Sequence, residues 1–599
     1  MRQVPKTMSR NCLGFALACT SIALGCSSTT SLPVGCSSTP PSFHPGGTDS
    51  GSGSEAGTDA NPPPPNGPTL SALTVTSASN ASLTLTPSFS PGVYNYYVLC
   101  GPGSNALDVS FTAGSGNLGA LVIAPQGSLA NSPASSAWKA SQTTTLNVQE
   151  NAAVVAFATN TSKSATTEYW IRCLPNDFPD IATTLNPSAG TPPDGYYLLG
   201  DRNLVASGQG GYAMVLDIRG TPIWYLRMPS GMGVINVDDV YPGAITLLES
   251  NLDQYEVHVL DPLHTFIAAP PDSAVTMSMP FPPNLGDQHE LRYLPNGDFM
   301  IISNSWVAVD MSGVTATDGT PLGPNTYIQA CNVIEFNPKQ NNEIVWQWTG
   351  SDHIDAQKES TVPIVSAGYV SPAGGYMGIV VDALHCNAID MDPNSDGGNG
   401  NFLMSARNMD AVWYVEKATG KILWKLGGAK YSMDNATLLT ATDPFYEQHD
   451  ARIVQWDASC NGGTGQISVF DDESDYDNPA RGVIYDVVVG GGSASSCADG
   501  GEPSCASPGT AVVAWQYKGT APSADTGSFR LTGLGRVIDW GFGGEPNLVF
   551  TEVDESGNDL LDFYFNDGTS SYRTVKVPLS AFPIDVLRQT AGGNETGFP

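Results

Sequence analysis

The sequence predicts an all-β protein, a six-bladed β-propeller preceded by a small β-sandwich. Short runs rich in Val, Ile, Tyr and Trp recur along the chain, cut by Gly, Asp, Asn and Pro, and no amphipathic helical pattern is sustained. The length of 599 residues exceeds one ordinary domain, so at least two folded units are expected. A pair of strand motifs also repeats through the C-terminal two thirds, which indicates stacked equivalent units.

Residues 1–25 are predicted to be a signal peptide rather than part of the fold. Arg2, Lys6 and Arg10 precede an apolar run that is too short to cross a membrane as a mature helix. The run ends in Ala-Leu-Gly followed by Cys26, which resembles a bacterial lipobox. We therefore expect an exported chain that a lipid on Cys26 anchors to the bacterial cell envelope, periplasmic or at the surface. The alternative is an ordinary cleaved signal peptide.

Residues 26–66 are predicted to be a disordered tether. They consist largely of Ser, Thr, Pro, Gly and Asp and end in Asn-Pro-Pro-Pro-Pro-Asn. A flexible coil of this length reaches roughly 35 Å.

The acidic composition limits the partners of the protein. Asp and Glu number 58 against 25 Lys and Arg, a net charge of −33. Such a field repels phosphate backbones, so no nucleic-acid partner is expected. It also repels anionic substrates, so any anion site must be locally cationic.

Residues 67–175 are predicted to form the β-sandwich. The opening LSALTVTSASNASLTLTPSFSPGVYNYYV resembles the cadherin-like modules of bacterial surface proteins, which implies a spacer or scaffold. Cys100 and Cys173 each end a strand-like run, YNYYVLC and EYWIRC, near the two ends of this segment. Export implies an oxidising compartment, so a disulfide between these two cysteines is expected.

Residues 190–590 are predicted to form the propeller. One motif is an acidic or Gly turn followed by an apolar strand that ends in an aromatic, as in IRGTPIWYL, KATGKILWKLGG and ESGNDLLDFYF. A second motif lies upstream of several copies, as in HELRYLPNGDFMIISNSW. Each pair of motifs makes about four strands, or one blade, and about six such pairs fit the segment. A large sandwich is the alternative.

Five cysteines fall in this second segment. Cys460, Cys497 and Cys505 lie in one Gly-rich loop region, and two of these three are expected to pair. The sequence assigns no partner to Cys331 or Cys386.

Three of the seven histidines share one sequence frame. His289 lies in QHELRY, His385 in LHCNAI and His449 in QHDARI, each at the start of the first strand of a predicted blade. First strands line the central channel of a propeller, so these histidines are expected to converge there. Strand alternation predicts that Asn387 lies on the same face as His385. The histidines without this frame are taken as structural or solvated: His44, His258, His264 and His353.

The segments HCNAIDMD, GNFLMSARNMDAVWYVEKATGKILWKLGG, FYEQHDARIV and ISVFDDES follow one another in an order that resembles the arylsulfotransferase-like family. The resemblance runs from about His289 to the C-terminal SYRTVKVP. It implies a six-bladed propeller enzyme that transfers a sulfuryl group from a phenolic sulfate ester to another phenol. No nucleotide sulfate donor, cofactor or metal is implied, so the expected partners are a small-molecule aryl sulfate and a phenol.

The resemblance also implies a role for each site residue. His449 falls where the family places its transiently sulfated histidine, and His385 with Asn387 matches a His-x-Asn motif. Arg407, in Ser-Ala-Arg-Asn, matches the active-site arginine, and His289 matches the histidine of an earlier blade.

Sulfuryl transfer explains why these residue types are needed. A neutral imidazole nitrogen can hold the group covalently between two steps. A planar guanidinium meets the sulfuryl oxygens with parallel hydrogen bonds, which favours Arg407 with Asn387 as the oxyanion clamp. A phenolate of parent pKa about 10 leaves more easily beside a protonated histidine, for which His385 is the candidate. Three aromatic residues could flank an aryl ring or pack between blades: Trp306, Phe445 and Tyr446.

Other functions stay open on the sequence. Three histidines also make a zinc set for hydrolysis, although a nearby arginine opposes metal binding. The alternating oxygens of residues 390–397 resemble a calcium loop, but Leu403 stands where the last Glu ligand belongs, and an acidic hairpin loop is the alternative. A non-catalytic binding propeller is the third alternative, because a fold alone specifies no activity.

Overall fold

The computed structural model describes residues 67–594, apart from internal segments at 78–82, 125–136, 203–209, 229, 231–232, 250–254, 260–266, 269–285, 341–342, 363–365, 371–377, 459–462, 475, 477, 491–508 and 544–545. The predicted signal peptide, the tether and Cys26 lie outside the described residues, as do Cys460, Cys497 and Cys505. Among the described residues, no helix has the length and apolar character to cross a membrane.

The N-terminal strands form two facing sheets. The strands are β1 (Leu70–Thr76), β2 (Asn95–Cys100), β3 (Ser104–Ala113), β4 (Asn117–Ala124), β5 (Ser141–Gln149), β6 (Ala153–Asn160) and β7 (Thr166–Pro175). One sheet has the order β1-β3-β5 and the other β2-β7-β6-β4, with β2 and β7 parallel. Their alternating apolar residues meet in one core. The expected disulfide between Cys100 and Cys173 is present and joins β2 to β7. The likeness to cadherin-like modules stays a prediction.

The rest of the described chain is also almost entirely strand. Its first half contains β8 (Ile181–Leu185), β9 (Tyr196–Gly200), β10 (Tyr212–Leu216), β11 (Pro222–Arg227), β12 (Val234–Asp238), β13 (Ala244–Glu249), β14 (Tyr255–Val259), β15 (Ile267–Ala268), β16 (Gly286–Tyr293), β17 (Phe299–Val309), β18 (Thr326–Asn337), β19 (Glu343–Thr349), helix α1 (Ala356–Glu359), β20 (Ser366–Val370) and β21 (Gly378–Val381).

Its second half contains β22 (Cys386–Met391), β23 (Phe402–Ala406), β24 (Ala411–Val415), β25 (Ile422–Gly427), β26 (Thr437–Ala441), β27 (His449–Asp457), β28 (Thr464–Asp471), β29 (Arg481–Val488), β30 (Thr510–Lys518), β31 (Ser528–Thr532), β32 (Gly535–Asp539), β33 (Leu548–Val553), β34 (Asp559–Phe565), β35 (Thr574–Val577), helix α2 (Ile584–Thr590) and β36 (Gly593–Asn594).

These strands follow each other as antiparallel groups. The group β12 to β15 forms a four-stranded sheet, and β16 to β19 form the next, extended by β20 and β21. Strand β26 pairs in parallel with both β25 and β30, so it joins the group β22 to β25 to the group β27 to β30. The prediction of an all-β, propeller-like fold is therefore confirmed, whereas the number of blades stays a prediction.

Strands from the two ends of this region share sheets. The late strand β35 pairs with β9, and the early strand β8 pairs with β34. These two exchanges tie the end of the region to its beginning, as a closed ring of sheets requires. The interfaces between groups are filled by large apolar side chains, among them the fully buried Trp224, Trp413 and Trp424.

The N-terminal sheets contact the first group of the propeller-like region through polar side chains. Arg588 donates to the side-chain oxygen of Asn95 at 2.6 Å, and Asn95 donates to Asp217 at 3.2 Å. Tyr225 donates to the side chain of Asn151 at 2.8 Å. The scaffold role of residues 67–175 stays a prediction.

Candidate active site

The three histidines of the shared frame lie together. The ring of His289 is 5.1 Å from that of His385 and 6.1 Å from that of His449, measured between centroids. The rings of His385 and His449 are 6.0 Å apart. One nitrogen of each ring lies within 4.8 Å of the others. The repeated frame therefore brings three distant segments to a single point.

Local backbone irregularity aims these side chains. The register of β16 shifts between Gly286 and Leu291, a span that contains His289, and β22 and β27 shift directly after their histidines. Such bulges re-aim a side chain and are common beside active sites. The backbone of His385 also has a φ of 50°, a left-handed conformation that costs energy in a residue other than glycine. The surrounding contacts must hold this residue in place.

His449 is the most buried of the three histidines. Its Nδ1 lies 2.8 Å from Oδ2 of Asp472, and its Nε2 is buried with no hydrogen-bond partner. Burial lowers the pKa of His449 well below 6.5, and the positive charges of neighbouring groups, including Arg407 and Arg573, lower it further. The ring is therefore neutral near pH 7. With the Nδ1 proton donated to Asp472, the lone pair is on Nε2.

Asp472 shares the enclosed environment of His449. Burial raises the pKa of Asp472 well above its usual value, and the charge of Arg407 opposes this rise. Its carboxyl group fixes the tautomer and the orientation of the His449 ring, as the carboxylate of a catalytic triad does. The sequence analysis missed Asp472. Its signal is the segment ISVFDDES, since His449 pairs with Phe470 and Asp472 follows two residues later.

His385 is more open to solvent than His449. Its Nδ1 lies 2.5 Å from Oδ2 of Asp382, which the sequence analysis also missed. Burial raises the pKa of Asp382, but the charge and the hydrogen bond of His385 outweigh it, so the net pKa lies below 3.8. An ionised carboxylate at this distance stabilises a protonated imidazole. His385 can therefore hold a proton at the solvent-facing edge of the cluster.

The backbone N–H of Arg407 donates to the carbonyl of His385 at 2.9 Å, and its side chain reaches the loop that follows Asp472. One terminal nitrogen donates to Asn408 at 2.9 Å and pairs with Glu447 at 3.3 Å, and the other donates to Ser474 at 3.0 Å. Its Nε is buried without a hydrogen-bond partner. Asn408 in turn donates to the carbonyl of Asp382 at 2.7 Å. The guanidinium is thus held on both sides and retains an unused donor.

Asn387 contacts the segment that carries His449. It is fully buried, and its amide nitrogen donates to the carbonyl of Gln448 at 2.8 Å. The bulge between Cys386 and Ala388 interrupts the alternation on which the prediction rested. Asn387 therefore holds the peptide that precedes His449, and its part in the oxyanion clamp stays a prediction.

The residue after each histidine is anchored away from the cluster. Glu290, after His289, pairs with buried arginines, and so does Asp450, after His449. The residue after His385 is a cysteine, and it forms a disulfide with Cys331 of β18. The sequence left these two cysteines without partners, because only the packing of neighbouring sheets brings β18 and β22 together.

The three aromatic residues proposed to flank an aryl ring differ in their surroundings. Phe445 is only 2% exposed and packs in a core cluster, which favours the alternative that it packs between blades. Tyr446 stacks on Tyr476 with centroids 4.2 Å apart, and Tyr476 is 40% exposed. The side chain of Trp306 lies outside the described residues. A further aromatic, Tyr572, points its edge at two histidines of the cluster, 5.7 and 6.1 Å away.

The site could also hold a metal ion. The Nδ1 atoms of His385 and His449 hydrogen-bond to carboxylates, and this leaves both Nε2 atoms as potential ligands. Carboxylate-supported histidines of this kind are typical of zinc sites. The charges of Arg407 and Arg573 act against a cation at the same point.

Two carboxylates of the acidic segment 390–397 are bound by other groups of the protein. Asp390 pairs with Arg292 at 3.1 Å, and Asp392 accepts from Tyr414 at 2.5 Å and from the backbone of Asn394 at 2.9 Å. These contacts favour the acidic hairpin loop over a calcium loop. His353, taken as structural, stacks on a tryptophan ring and pairs with an aspartate.

Comparison with known proteins identifies the segment that carries this site. Residues 263–496 match the family model described as arylsulfotransferase (ASST). The matched segment contains all three clustered histidines and Arg407, and it supports the arylsulfotransferase-like family that the motifs predicted. It supports sulfotransferase chemistry on small-molecule substrates in general. No curated protein matches the chain.

Solved structures show weaker similarity to this chain. Hsv2 of Kluyvelomyces marxianus is 7% identical, with a TM-score of 0.24, over 69% of this chain and 93% of that one. The dihydro-heme d1 dehydrogenase NirN is 10% identical, with a TM-score of 0.25, over 68% and 81%. The quinohemoprotein alcohol dehydrogenase ADHIIG of Pseudomonas putida HK5 is 9% identical, with a TM-score of 0.23, over 71% and 74%. These similarities are too weak to transfer an activity or a ligand.

Proposed function

We propose that this chain moves a sulfuryl group from a phenolic sulfate ester to a phenol through a sulfohistidine at His449. One observation supports this most directly: His449 is a neutral, buried imidazole whose Nδ1 is held by Asp472 and whose Nε2 has no hydrogen-bond partner. A nucleophile that must form and break a bond to sulfur needs such a free, fixed lone pair.

The first step loads His449. Its Nε2 lone pair forms a bond to the sulfur of the donor, and the sulfur–oxygen bond to the aryl group breaks with its electron pair on the phenolate. His385 gives the leaving oxygen its proton. Arg407, with its unused Nε donor, meets the charge on the sulfuryl oxygens. The donor phenol then leaves, and the group stays on Nε2.

The second step reverses the first on a new phenol. The acceptor gives its proton to His385 and its oxygen attacks the sulfur, while the nitrogen–sulfur bond breaks and returns its electron pair to Nε2. Protons and charge therefore balance over the cycle. His289 lies against both other rings and restricts how the sulfuryl group can turn.

We also propose that the propeller-like region, residues 190–590, has six blades. The sheet order supports this, because six antiparallel groups can be traced through the described strands when β35 is counted with β9 to β11.

Labelling tests the mechanism. Incubation with 4-nitrophenyl sulfate in the absence of a phenol is expected to leave one acid-labile sulfate per chain, on His449. His449→Ala should lose both labelling and exchange, whereas His353→Ala, outside the cluster, should retain both. Near-normal exchange in the His449→Ala variant would falsify the sulfohistidine mechanism.

A zinc-dependent hydrolase is the second candidate, because the three ring nitrogens lie within 4.8 Å of one another. Metal analysis of the purified chain separates the two candidates. Zinc in stoichiometric amount, with activity that a chelator removes and zinc restores, favours the hydrolase. Exchange that survives the chelator favours the sulfotransferase.

We propose further that a lipid on Cys26 anchors the mature chain to the cell envelope, on the evidence of the small residues before this cysteine and the tether after it. The wild-type chain should partition with membranes, and Cys26→Ser should be released in soluble form. An unmodified mature N-terminus downstream of Cys26 would contradict the proposal.

A further inference from the structure

A fully buried arginine lies beneath the histidine cluster. Arg573 has no exposed surface, and one of its terminal nitrogens donates to the backbone carbonyl of His289 at 3.2 Å. The other lies 3.2 Å from Asp450 and 3.5 Å from Glu290. These two acids are the residues that directly follow His449 and His289 in the chain. One side chain thus contacts the segments of two site histidines.

A second arginine links the same acids to the third histidine segment. Arg452 lies 2.5 Å from Glu290 and 2.6 Å from Asp450. Its remaining terminal nitrogen donates to the carbonyl of Ile389 at 2.8 Å, in the strand that begins beside His385. The network therefore spans the starts of β16, β22 and β27.

Stability alone does not explain this network. Each buried ion loses its hydration, and replacing such a group by apolar residues is often neutral or stabilising. A buried pair with good geometry does, however, fix the relative position of the chains that it joins. Arg573 is also a planar fork with several donors, which a single point charge cannot reproduce.

We propose that Arg573 is a positioning residue for sulfuryl transfer, which sets the spacing of His289 and His449 through the His289 carbonyl and the carboxylates of Glu290 and Asp450. This inference rests on the proposed function. Arg573 acts through the His289 backbone and the two acids, and the proposal does not require it to touch the substrate. Its positive charge also opposes protonation of the nucleophile.

A positioning role makes a specific kinetic prediction. A shift of about 1 Å in a reacting group can cost roughly 100-fold in rate. Arg573→Lys keeps the charge but cannot reach all three acceptors, so we expect kcat to fall by about 10- to 100-fold. KM for the aryl sulfate should change by less than about 2-fold, since substrate contacts are unaltered.

Lys576→Met supplies the matched control. Lys576 is a buried cation on the strand that follows Arg573, but it binds Glu552 at 2.7 Å. Both substitutions remove a cation contact from a buried carboxylate and are expected to lower the melting temperature. Only Arg573→Lys should lower kcat in the folded protein. Equal kcat losses in the two variants, or a wild-type kcat in Arg573→Lys, would overturn the proposal.

A second measurement does not depend on activity. In the full chain, the ring resonances of His289 and His449 should shift in Arg573→Lys, and those of His353 should not. Unchanged ring resonances in the cluster overturn the positioning role even if sulfate exchange is never detected. If Arg573→Lys does not fold, Glu290→Gln weakens the same network. It should likewise lower kcat and leave KM nearly unchanged. If the wild type shows no sulfate exchange but Arg573→Lys shows the resonance shifts, only the proposed function is rejected and the positioning role stands.

Discussion

Nδ1 of His449 lies 2.8 Å from Oδ2 of Asp472, and both side chains are buried. This contact orients the His449 ring, and a proton that Nδ1 donates to Asp472 leaves the attacking lone pair on Nε2. His449 begins β27 and Asp472 directly follows β28, and a cationic residue, Arg407, lies close enough to affect the pKa of each.

Asp472→Asn should disable His449 while it preserves the shape of the site. An amide can donate to Nδ1 and so turn the reactive lone pair away from Nε2, as in triads where this substitution costs about 10⁴-fold. We expect sulfate labelling of His449 to slow by about 10²- to 10⁴-fold, measured in a single turnover. Asp434→Asn, at the structural His353, is the control and should label at the wild-type rate.

Arg407→Lys should label His449 slowly rather than not at all. A lysine supplies charge without the planar fork, and loss of one oxyanion donor costs roughly 10²- to 10³-fold in rate. Pre-steady-state release of 4-nitrophenol measures the effect. Arg536, which packs on Trp515, is the control position. A wild-type burst rate in Arg407→Lys would show that another group meets the sulfuryl charge.

The buried His449 should make the fold sensitive to acid. Its folded pKa lies well below 6.5, so below about pH 6.5 the unfolded chain binds a proton that the native chain does not. Stability associated with His449 is thus present above this pH and is lost as the pH falls. Between about pH 7 and pH 5, the melting temperature of the wild type should fall more than that of His449→Gln. Parallel pH profiles would contradict the lowered pKa.

Removal of the disulfide beside His385 should impair proton transfer to the leaving group. The double variant Cys331→Ser with Cys386→Ser removes the covalent link at residue 386, directly after His385. The backbone of His385 itself is strained, so it depends on such support. Turnover of phenyl sulfate should fall more than that of 4-nitrophenyl sulfate, because the poorer leaving group depends more on an acid. Loss of the other disulfide, through Cys100→Ser with Cys173→Ser, should affect both donors equally.

Tyr476→Ser should weaken binding of the aryl acceptor. Tyr476 stacks on Tyr446 and is two residues from Ser474, to which Arg407 donates. We therefore expect an aryl ring to pack on this tyrosine pair. Aromatic contacts contribute about 0.5–1.5 kcal/mol, so KM for phenol should rise by about 2- to 10-fold. Tyr431→Ser is the control, since this tyrosine is similarly exposed but packs under Lys358. A KM that is unchanged in Tyr476→Ser would place the acceptor elsewhere.

The sequence by itself determined the strands, the order of the repeats and the frame that His289, His385 and His449 share. These features depend on local patterns: alternation, turn residues and motifs that recur at corresponding points of successive units. The disulfide between Cys100 and Cys173 could be predicted from the sequence for the same reason, because both cysteines end strands of one small module.

Tertiary structure alone decided which groups surround the histidines. The partners Asp472 and Asp382, the buried Arg573 and the disulfide of Cys386 all depend on contacts between separate sheets or on loop paths. A bulge interrupts the strand alternation beside Asn387, and Phe445 packs in a core cluster. Sequence periodicity fixes which side of a strand a residue faces. The register shifts and the packing between sheets then determine what that residue meets.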